Sequence, residues 1–191
     1  LLSEKKRELD ERAEQYESIV DELAGELDAA EPVEETFWTA AVGPEEAADL
    51  LIERIAASDT RIVMVLSTYT EQFFDIDEVG TLVLDELTEA IERGVDVQLL
   101  LRPDLVTALP ESIGERYRDA LIEHDRFTVR TSEYVSGGFT LLDGSEVVIG
   151  VSHPLKREEI FAMIDLKGQA FAESVRAEFD PRWAQASELA F

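Results

Sequence analysis

The sequence predicts an α/β sandwich, with a mixed sheet flanked by helices, preceded by a long N-terminal coiled-coil helix. Three observations predict this fold class: a heptad pattern fills residues 1–30, helical and strand patterns then alternate, and two closely spaced strands follow late in the chain. Alternating helices and strands are typical of a sheet covered by helices, and a close strand pair adds antiparallel neighbours. We therefore divide the chain into a coiled-coil segment, residues 1–30, and one globular domain, residues 31–191.

Residues 1–30 carry a narrow apolar seam between charged residues. Its main positions lie seven residues apart with companions four residues on, and the seam comprises Leu2, Leu9, Tyr16, Leu23 and Leu27. A stripe this narrow favours pairing with a second helix over burial in a globular face. The sequence therefore predicts a homodimer through the seam, with packing on the chain's own domain as the alternative. Glu31-Pro32 ends the helix, because the residue before a proline avoids helical backbone angles.

The first half of the domain alternates helix and strand. The predicted elements are an extended piece around residues 36–39, a helix from Gly43, a strand at 61–67, a helix from Asp77 to Arg93 and a strand at 95–101. Pro44, Glu45 and Glu46 favour the beginning of the first helix, where proline and acids are stabilising. Asp77 and Gly94 favour the beginning and the end of the second helix.

The second half of the domain is richer in strands. It comprises a helix from Pro110, strands at 127–131, 139–142, 146–149 and 160–164, and a last helix that carries Phe171, Val175 and Phe179. Two of these strands flank Asp143-Gly144, a dipeptide that strongly favours a tight turn. An ordinary hairpin accounts for this pattern by itself.

The same stretch also resembles the frame of an active-site motif from phospholipase D-type enzymes. That motif reads His-x-Lys-x4-Asp, followed by six residues and a Gly, with the His as covalent nucleophile and the Lys holding phosphate oxygens. Aligned on Asp143, this chain has Ser136 at the His position, Gly138 at the Lys position and Gly150 at the Gly position. Because neither Ser nor Gly replaces an imidazole nucleophile, the resemblance implies a degenerate hairpin with no catalytic residue.

The composition is strongly acidic. The chain has 43 Asp and Glu against 17 Lys and Arg, which gives a net charge of −26. Such a chain repels nucleic acid, because binding depends on basic side chains that neutralise phosphates. The acids are spread along the whole chain, which is typical of a surface solvated in a salt-rich cytoplasm and predicts a fold that salt stabilises. The chain has no cysteine, which excludes thiolate chemistry, and no apolar run long enough to cross a membrane.

Four features together resemble the C-terminal part of TrmB-type transcriptional regulators, which are mainly archaeal. They are the heptad helix, the single phospholipase D-like unit without His or Lys, the acidity, and an ending with Phe171, Val175, Phe179, Asp180-Pro181 and Trp183. The family joins a winged helix-turn-helix domain through a dimerising coiled coil to an effector domain related to phospholipase D. The resemblance implies a cytoplasmic, non-catalytic domain for ligand sensing and dimerisation. It also implies that DNA is bound only through a winged-helix part upstream of Leu1.

Candidate ligand-binding residues follow the strands, because open α/β sheets bind ligands beyond the carboxyl ends of their strands. The polar residues there are Ser67, Thr68, Tyr69, Arg102, Asp104, Ser132 and Tyr134, and His153 follows the hairpin. Arg102 has the geometry to bind a carboxylate or phosphate, with an ion pair to Asp104 as the alternative. Neither histidine has a partner at metal-ligand spacing, so we expect no metal and no cofactor.

Two other functions stay open. One is a protein-docking adaptor, and the other is a phosphodiesterase that uses Ser136 or a hairpin supplied by another chain. Polar side chains converging in a concavity would favour a sensor of a small-molecule effector, whereas a flat apolar patch would favour docking.

Overall fold

The computed structural model describes residues 37–67, 79–108, 124–135, 137–156 and 160–189. These residues belong to one compact unit, Phe37–Phe191. Several predictions fall outside the described residues: the seam and the domain boundary after residue 30, the helix from Pro110, and the candidate residues Thr68, Tyr69 and Ser136.

The described residues form one eight-stranded sheet. Its strands are β1 Phe37–Val42, β2 Arg61–Leu66, β3 Asp96–Leu101, β4 Phe127–Thr131, β5 Phe139–Leu142, β6 Glu146–Ser152, β7 Ile160–Lys167 and β8 Ser187–Glu188. Their order across the sheet is β1-β7-β6-β5-β2-β3-β4-β8. Strands β2, β3 and β4 are parallel, whereas the other neighbouring pairs are antiparallel. The mixed sheet predicted from the sequence is confirmed.

Helices pack on both faces of this sheet. They are α1 Pro44–Ala56, α2 Val79–Glu92, α3 Pro103–Ala108 and α4 Gln169–Gln185. α1 and α2 bury their apolar sides against one face, and α4 packs on the other. Ile62 and Val63, successive residues of β2, are buried in the two different cores, as expected for a central strand covered on both sides. The predicted α/β sandwich is confirmed.

The observed elements differ from the predicted ones mainly at their ends. The extended piece near residue 37 is an edge strand, β1, and strands β6 and β7 continue to Ser152 and Lys167. α4 continues to Gln185 and includes Pro181 inside the helix. The structure adds α3 and β8, which no pattern in the sequence predicts because each is too short to show a periodicity.

Candidate functional site

One end of the β5–β6 hairpin, its turn, is fixed by the carboxylate of Asp143. Its Oδ1 accepts hydrogen bonds from Ser58 Oγ at 2.9 Å, from the N–H and Oγ1 of Thr60 at 2.8 and 2.9 Å, and from the Arg61 N–H at 3.0 Å. Its Oδ2 accepts from the Asp59 N–H at 3.0 Å. We call this group of hydrogen bonds the Asp143 clasp. It ties the hairpin turn to the loop between α1 and β2.

The backbone of the turn also has a specific conformation. Asp143 and Gly144 have positive φ angles of 52° and 73°, and the Ser145 N–H donates to the Leu142 carbonyl at 3.1 Å. Two successive left-handed residues are the mark of a type I′ turn, for which Asp-Gly is a preferred sequence. The hairpin predicted from the dipeptide is confirmed.

The clasp depends on an ionised carboxylate. Partial burial acts to raise the pKa of Asp143, but the backbone N–H groups of Arg61, Asp59 and Thr60 outweigh burial and lower the pKa to about 2. Several N–H donors on one carboxylate favour its charged form. Asp143 therefore stays ionised across the pH range in which most carboxyl groups titrate.

A second carboxyl group at the turn end has the opposite shift. Glu146 begins β6 near Asp165, whose side chain is 1% exposed, and Arg54 Nε lies 3.8 Å from Glu146 Oε1 and 3.6 Å from Asp165 Oδ2. Lys167 Nζ lies 3.5 Å from Glu146 Oε2. Burial and the neighbouring Asp165 carboxyl raise the pKa of Glu146 despite these two cations. Glu146 therefore keeps its proton to a higher pH in the folded state than an ordinary glutamate does.

The other end of the hairpin is open, and two cavities meet there. Gly138 and Phe139 line both of them. On the α1 face a small pocket of about 40 Å³ is lined by polar and apolar residues that include Ser67, Gly150 and Ser152. On the α4 face a larger cleft of about 470 Å³ lies between the sheet and α4. We call this larger cavity the α4 cleft.

The walls of the α4 cleft are mainly apolar. The sheet and α4 supply Val65, Leu100, Phe139, Val147, Ile149, Val175 and Phe179. Phe179 is fixed by its ring contacts with Phe139 and Trp183, at centroid distances of 6.5 and 5.5 Å. Aromatic packing of this kind holds this wall of the cleft in place.

Polar side chains line the same cleft. Ser132 and Tyr134 follow β4, and Ser174, Glu178 and Arg182 come from α4. The Tyr134 N–H donates to Ser132 Oγ at 3.2 Å, and Arg182 Nη1 lies 2.8 Å from Glu178 Oε2. The cleft therefore combines an apolar floor with hydroxyl groups and one internally paired cation and anion.

The structure places the other predicted ligand residues differently. Arg102 donates through Nε and Nη2 to the carboxylate of Asp104, at 2.9 Å each, so the ion pair weighed as the alternative is formed. The shared hydrogen bond raises the pKa of Arg102 and lowers that of Asp104. His153 accepts the Leu155 N–H on Nδ1 at 3.1 Å, and its ring meets Phe161 at 5.6 Å. Neither Arg102 nor His153 is among the described residues that line the two cavities.

Sequence reasoning missed the contribution of α4 to the cleft. Ser174, Glu178 and Arg182 lie four residues apart on one helix, and polar residues at that spacing usually indicate a solvated face. The signal available was their coincidence with Phe171, Val175 and Phe179 on the same helix. A helix that carries an apolar stripe beside this polar row can place both against the face of the sheet.

The described residues hold no group of three His, Asp or Glu side chains placed to bind a metal ion. None of the helices that the structure describes is both long enough and apolar enough to span a bilayer.

Comparison with known sequences gives a family. A family model described as a domain of unknown function, DUF7436, matches residues 32–189. No curated protein sequence matches the chain.

Comparison with solved structures shows the fold. Nuc from Salmonella typhimurium, a phospholipase D family member, is 20% identical over 82% of this chain and 100% of its own, with a TM-score of 0.63. TrmBL2, an archaeal chromatin protein described as showing a novel mode of DNA binding, is 16% identical over 98% of this chain and 68% of its own, with a TM-score of 0.59. NucT from Helicobacter pylori is 11% identical over 81% of this chain and 100% of its own, with a TM-score of 0.59. The fold is phospholipase D-like, as the degenerate hairpin predicts.

Proposed function

The chain belongs to the DUF7436 family, and from its phospholipase D-like fold and α4 cleft we propose that it is a non-catalytic, ligand-sensing and dimerising domain of a transcriptional regulator. The α4 cleft is the observation that carries the proposal. A concavity of about 470 Å³ has the size of a small-molecule site. Its mainly apolar lining with a few polar residues also matches such sites, which combine apolar walls with polar groups that fix orientation.

The lining of the cleft defines the kind of effector. Arg182, the one cation among the described residues that line the cleft, is paired with Glu178 at 2.8 Å, so its charge is offset locally. Ser132, Tyr134 and Ser174 supply hydroxyl groups around an apolar floor. An uncharged molecule with one apolar face and several hydrogen-bonding groups therefore fits best.

The absence of catalysis is proposed from the open end of the hairpin. Gly138 stands where the enzymes carry a lysine, and glycine has no side chain to hold a phosphate oxygen. His153, the histidine that follows the hairpin, is engaged with Leu155 and Phe161. Covalent phosphodiester chemistry requires an activated nucleophile beside the phosphate, and these residues do not supply one.

Dimerisation is proposed through the seam of Leu2, Leu9, Tyr16, Leu23 and Leu27. A lone helix would leave this seam in water, and pairing removes the exposure. Leu9→Asp combined with Leu23→Asp should weaken the dimer in sedimentation equilibrium at high salt, while Leu82→Asp, an exposed change on α2, serves as control. The net charge of −26 opposes contact between this chain and DNA phosphates.

The α4 cleft can be tested by filling it. Gly137 lines the cleft, and a Cβ added there meets no atom within 4 Å. Gly137→Trp should therefore occupy the cleft without straining the backbone, and Gly137→Ala is the matched control. We expect the neutral fluorophore Nile red to bind the wild type and the alanine variant and to be displaced by an uncharged effector from a panel of monosaccharides, nucleosides and amides.

Binding to the tryptophan variant should be lost. Equal Nile red binding by Gly137→Trp and by the wild type would contradict the cleft as the binding site. Failure of every panel member to displace the dye or to raise the melting temperature would contradict the sensing function.

A further inference from the structure

The two edges of the sheet differ sharply. β8 has two residues, one of them Glu188, whose carboxylate lies 3.3 Å from Arg130. β1 has six residues, Phe-Trp-Thr-Ala-Ala-Val, and none is charged in a chain with 31% charged residues. Phe37 and Trp38 are each 65% exposed, and Val42 is 59% exposed. Edge strands are normally short, charged or covered, because open edges pair with other chains. Among the described residues, β8 follows that rule and β1 does not.

The hydrogen-bonding direction of β1 can be read from its register. β1 pairs antiparallel with β7, and the Gly43 N–H continues this ladder to the Phe161 carbonyl at 2.9 Å. Successive residues of such a strand alternate between bonding to the neighbour and pointing away from it. Trp38, Ala40 and Val42 therefore direct their N–H and carbonyl groups away from β7. Within the described residues, β1 is the last strand on this side of the sheet.

The same three residues share one face of the sheet. Trp38, Ala40 and Val42 lie beside Leu166, Ile164 and Ala162 of β7 in the register. This apolar strip is continuous from the open edge into the sheet. The open backbone groups and the exposed apolar side chains thus belong to one feature, which we call the β1 edge.

We propose that the β1 edge pairs antiparallel with the β1 edge of a second copy of this chain, about a two-fold axis at Ala40. In this register Trp38 of one copy lies opposite Val42 of the other, and the two small Ala40 residues face each other at the centre. The three outward-pointing residues of each strand are then mutual partners, which gives about six backbone hydrogen bonds. Large, small and β-branched side chains are thus complementary under the two-fold rotation.

Charge favours a second copy at this surface. Two chains of net charge −26 repel each other over most of their surfaces, and a strand without charges lets them meet without placing like charges in contact. A six-residue strand is about 20 Å long at ~3.3 Å per residue, so pairing of the two strands by itself buries little surface. The adjoining apolar strip on β7 adds to the buried area that a stable dimer needs. The β1 contact uses other residues than the seam of residues 1–30 and stands independently of it.

Cross-linking tests the contact directly. The chain has no cysteine, so Ala40→Cys introduces a unique thiol at the proposed axis. A short bis-maleimide should give a covalent dimer from Ala40→Cys, but not from Ser187→Cys, the control on the opposite edge. The readout reports the β1 contact whether or not the seam also pairs.

Two substitutions test the energetics. Ala40→Pro removes an N–H that faces outward, which an edge strand tolerates, and circular dichroism should confirm that the fold is kept. Trp38→Lys places a charge in the strip, and Leu82→Lys is its control on α2. In the Leu9→Asp, Leu23→Asp background, each β1 variant should weaken self-association by about tenfold, equivalent to ~1.4 kcal/mol.

The outcomes separate this contact from the seam. A dimer in sedimentation that shows no Ala40→Cys cross-link overturns the β1 contact and leaves the seam in place. A cross-link that survives Leu9→Asp with Leu23→Asp supports it. A chain that stays monomeric at every concentration in molar salt, or whose β1 edge captures a different polypeptide instead, overturns the pairing of two copies.

Discussion

The two ends of the β5–β6 hairpin differ in what holds them. At the turn end, one carboxylate accepts five hydrogen bonds from a loop more than 80 residues away in sequence. At the open end, Gly138 and Gly150 stand at positions where the resembling enzymes carry a lysine and a glycine, and cavities adjoin them. Hydrogen bonds thus hold the turn end, whereas cavities border the open end.

The difference shows that the residues that hold the hairpin in place are not the residues at its open end. The Asp143 clasp joins the Asp of the motif to the loop between α1 and β2, and its loss would disturb the sheet whether or not the protein is an enzyme. The open end can exchange its side chains without disturbing the clasp. Under the proposed function, the hairpin is kept intact while the space at its open end serves as a binding cleft.

Removing the clasp should have the largest effect. Asp143→Ala leaves the N–H groups of Asp59, Thr60 and Arg61 without their acceptor. We expect a loss of about 2 kcal/mol in the free energy of unfolding, the scale of hydrogen bonds to a charged group at a partly exposed site. Asp59→Ala removes a carboxylate from the same loop and should change stability little, as measured by urea denaturation.

The clasp also predicts the sign of an acid effect. The pKa of Asp143 is lowered from 3.8 to about 2 in the folded state, so its contribution is present above pH 3.8 and is lost as the pH falls towards 2. Asp143→Asn should flatten this part of the stability profile. An unchanged profile in the variant would contradict the role of the ionised carboxylate.

A pair of identical substitutions compares the two ends directly. Gly144 has a φ of +73°, so Gly144→Ala should destabilise the protein by about 1 kcal/mol through backbone strain. At Gly150 an added Cβ would meet Ile160 Cδ1 at 3.9 Å, an ordinary contact. Gly150→Ala should therefore stabilise by about 0.5 kcal/mol, because it restricts the unfolded chain. Opposite signs in thermal unfolding support the comparison, and equal losses would contradict it.

Glu146 sharpens the comparison with a pH effect of opposite sign. Burial and Asp165 raise its pKa, so its stabilising contribution is present below its ordinary pKa of 4.5 and is lost as the pH rises through the raised value. Glu146→Gln imitates the protonated form and should lose less stability than the wild type over that rise. Thermal melts across this range, with Glu45→Gln as an exposed control, measure the difference.

At the open end of the hairpin we expect no phosphodiesterase activity. Wild-type protein and Gly138→Lys should both leave bis(4-nitrophenyl) phosphate intact, because a lysine alone restores no nucleophile. Turnover by the wild type that disappears in Ser136→Ala would instead support the phosphodiesterase alternative.

The strands and long helices could be predicted because their patterns are strong. β5 has the predicted bounds, Phe139–Leu142, and the Asp-Gly turn after it has the expected left-handed geometry. The partners of Asp143 could not be predicted, because nothing in the sequence marks Ser58 to Arg61 as the segment that the turn would contact. Long-range pairings of this kind depend on the tertiary fold and not on local preference.

The candidate site was predicted in part. Ser132 and Tyr134 lie in the α4 cleft because they follow β4 at the carboxyl edge, as the general rule for open sheets requires. Arg102 follows β3 at the same edge, yet Asp104 two residues later satisfies its guanidinium locally. The binding roles of all these residues stay predictions until a ligand is found.

The Asp143 clasp has a consequence for folding kinetics. It joins positions 82 to 85 residues apart, and closing so long a loop is entropically unfavourable until the intervening elements have formed. We therefore expect the clasp to form after the main folding barrier. Interactions that form late slow unfolding and leave the folding rate nearly unchanged. The carboxylate of Asp143 would then set how long the native state persists once it has formed, and stopped-flow measurements on Asp143→Ala should show faster unfolding at a nearly constant folding rate.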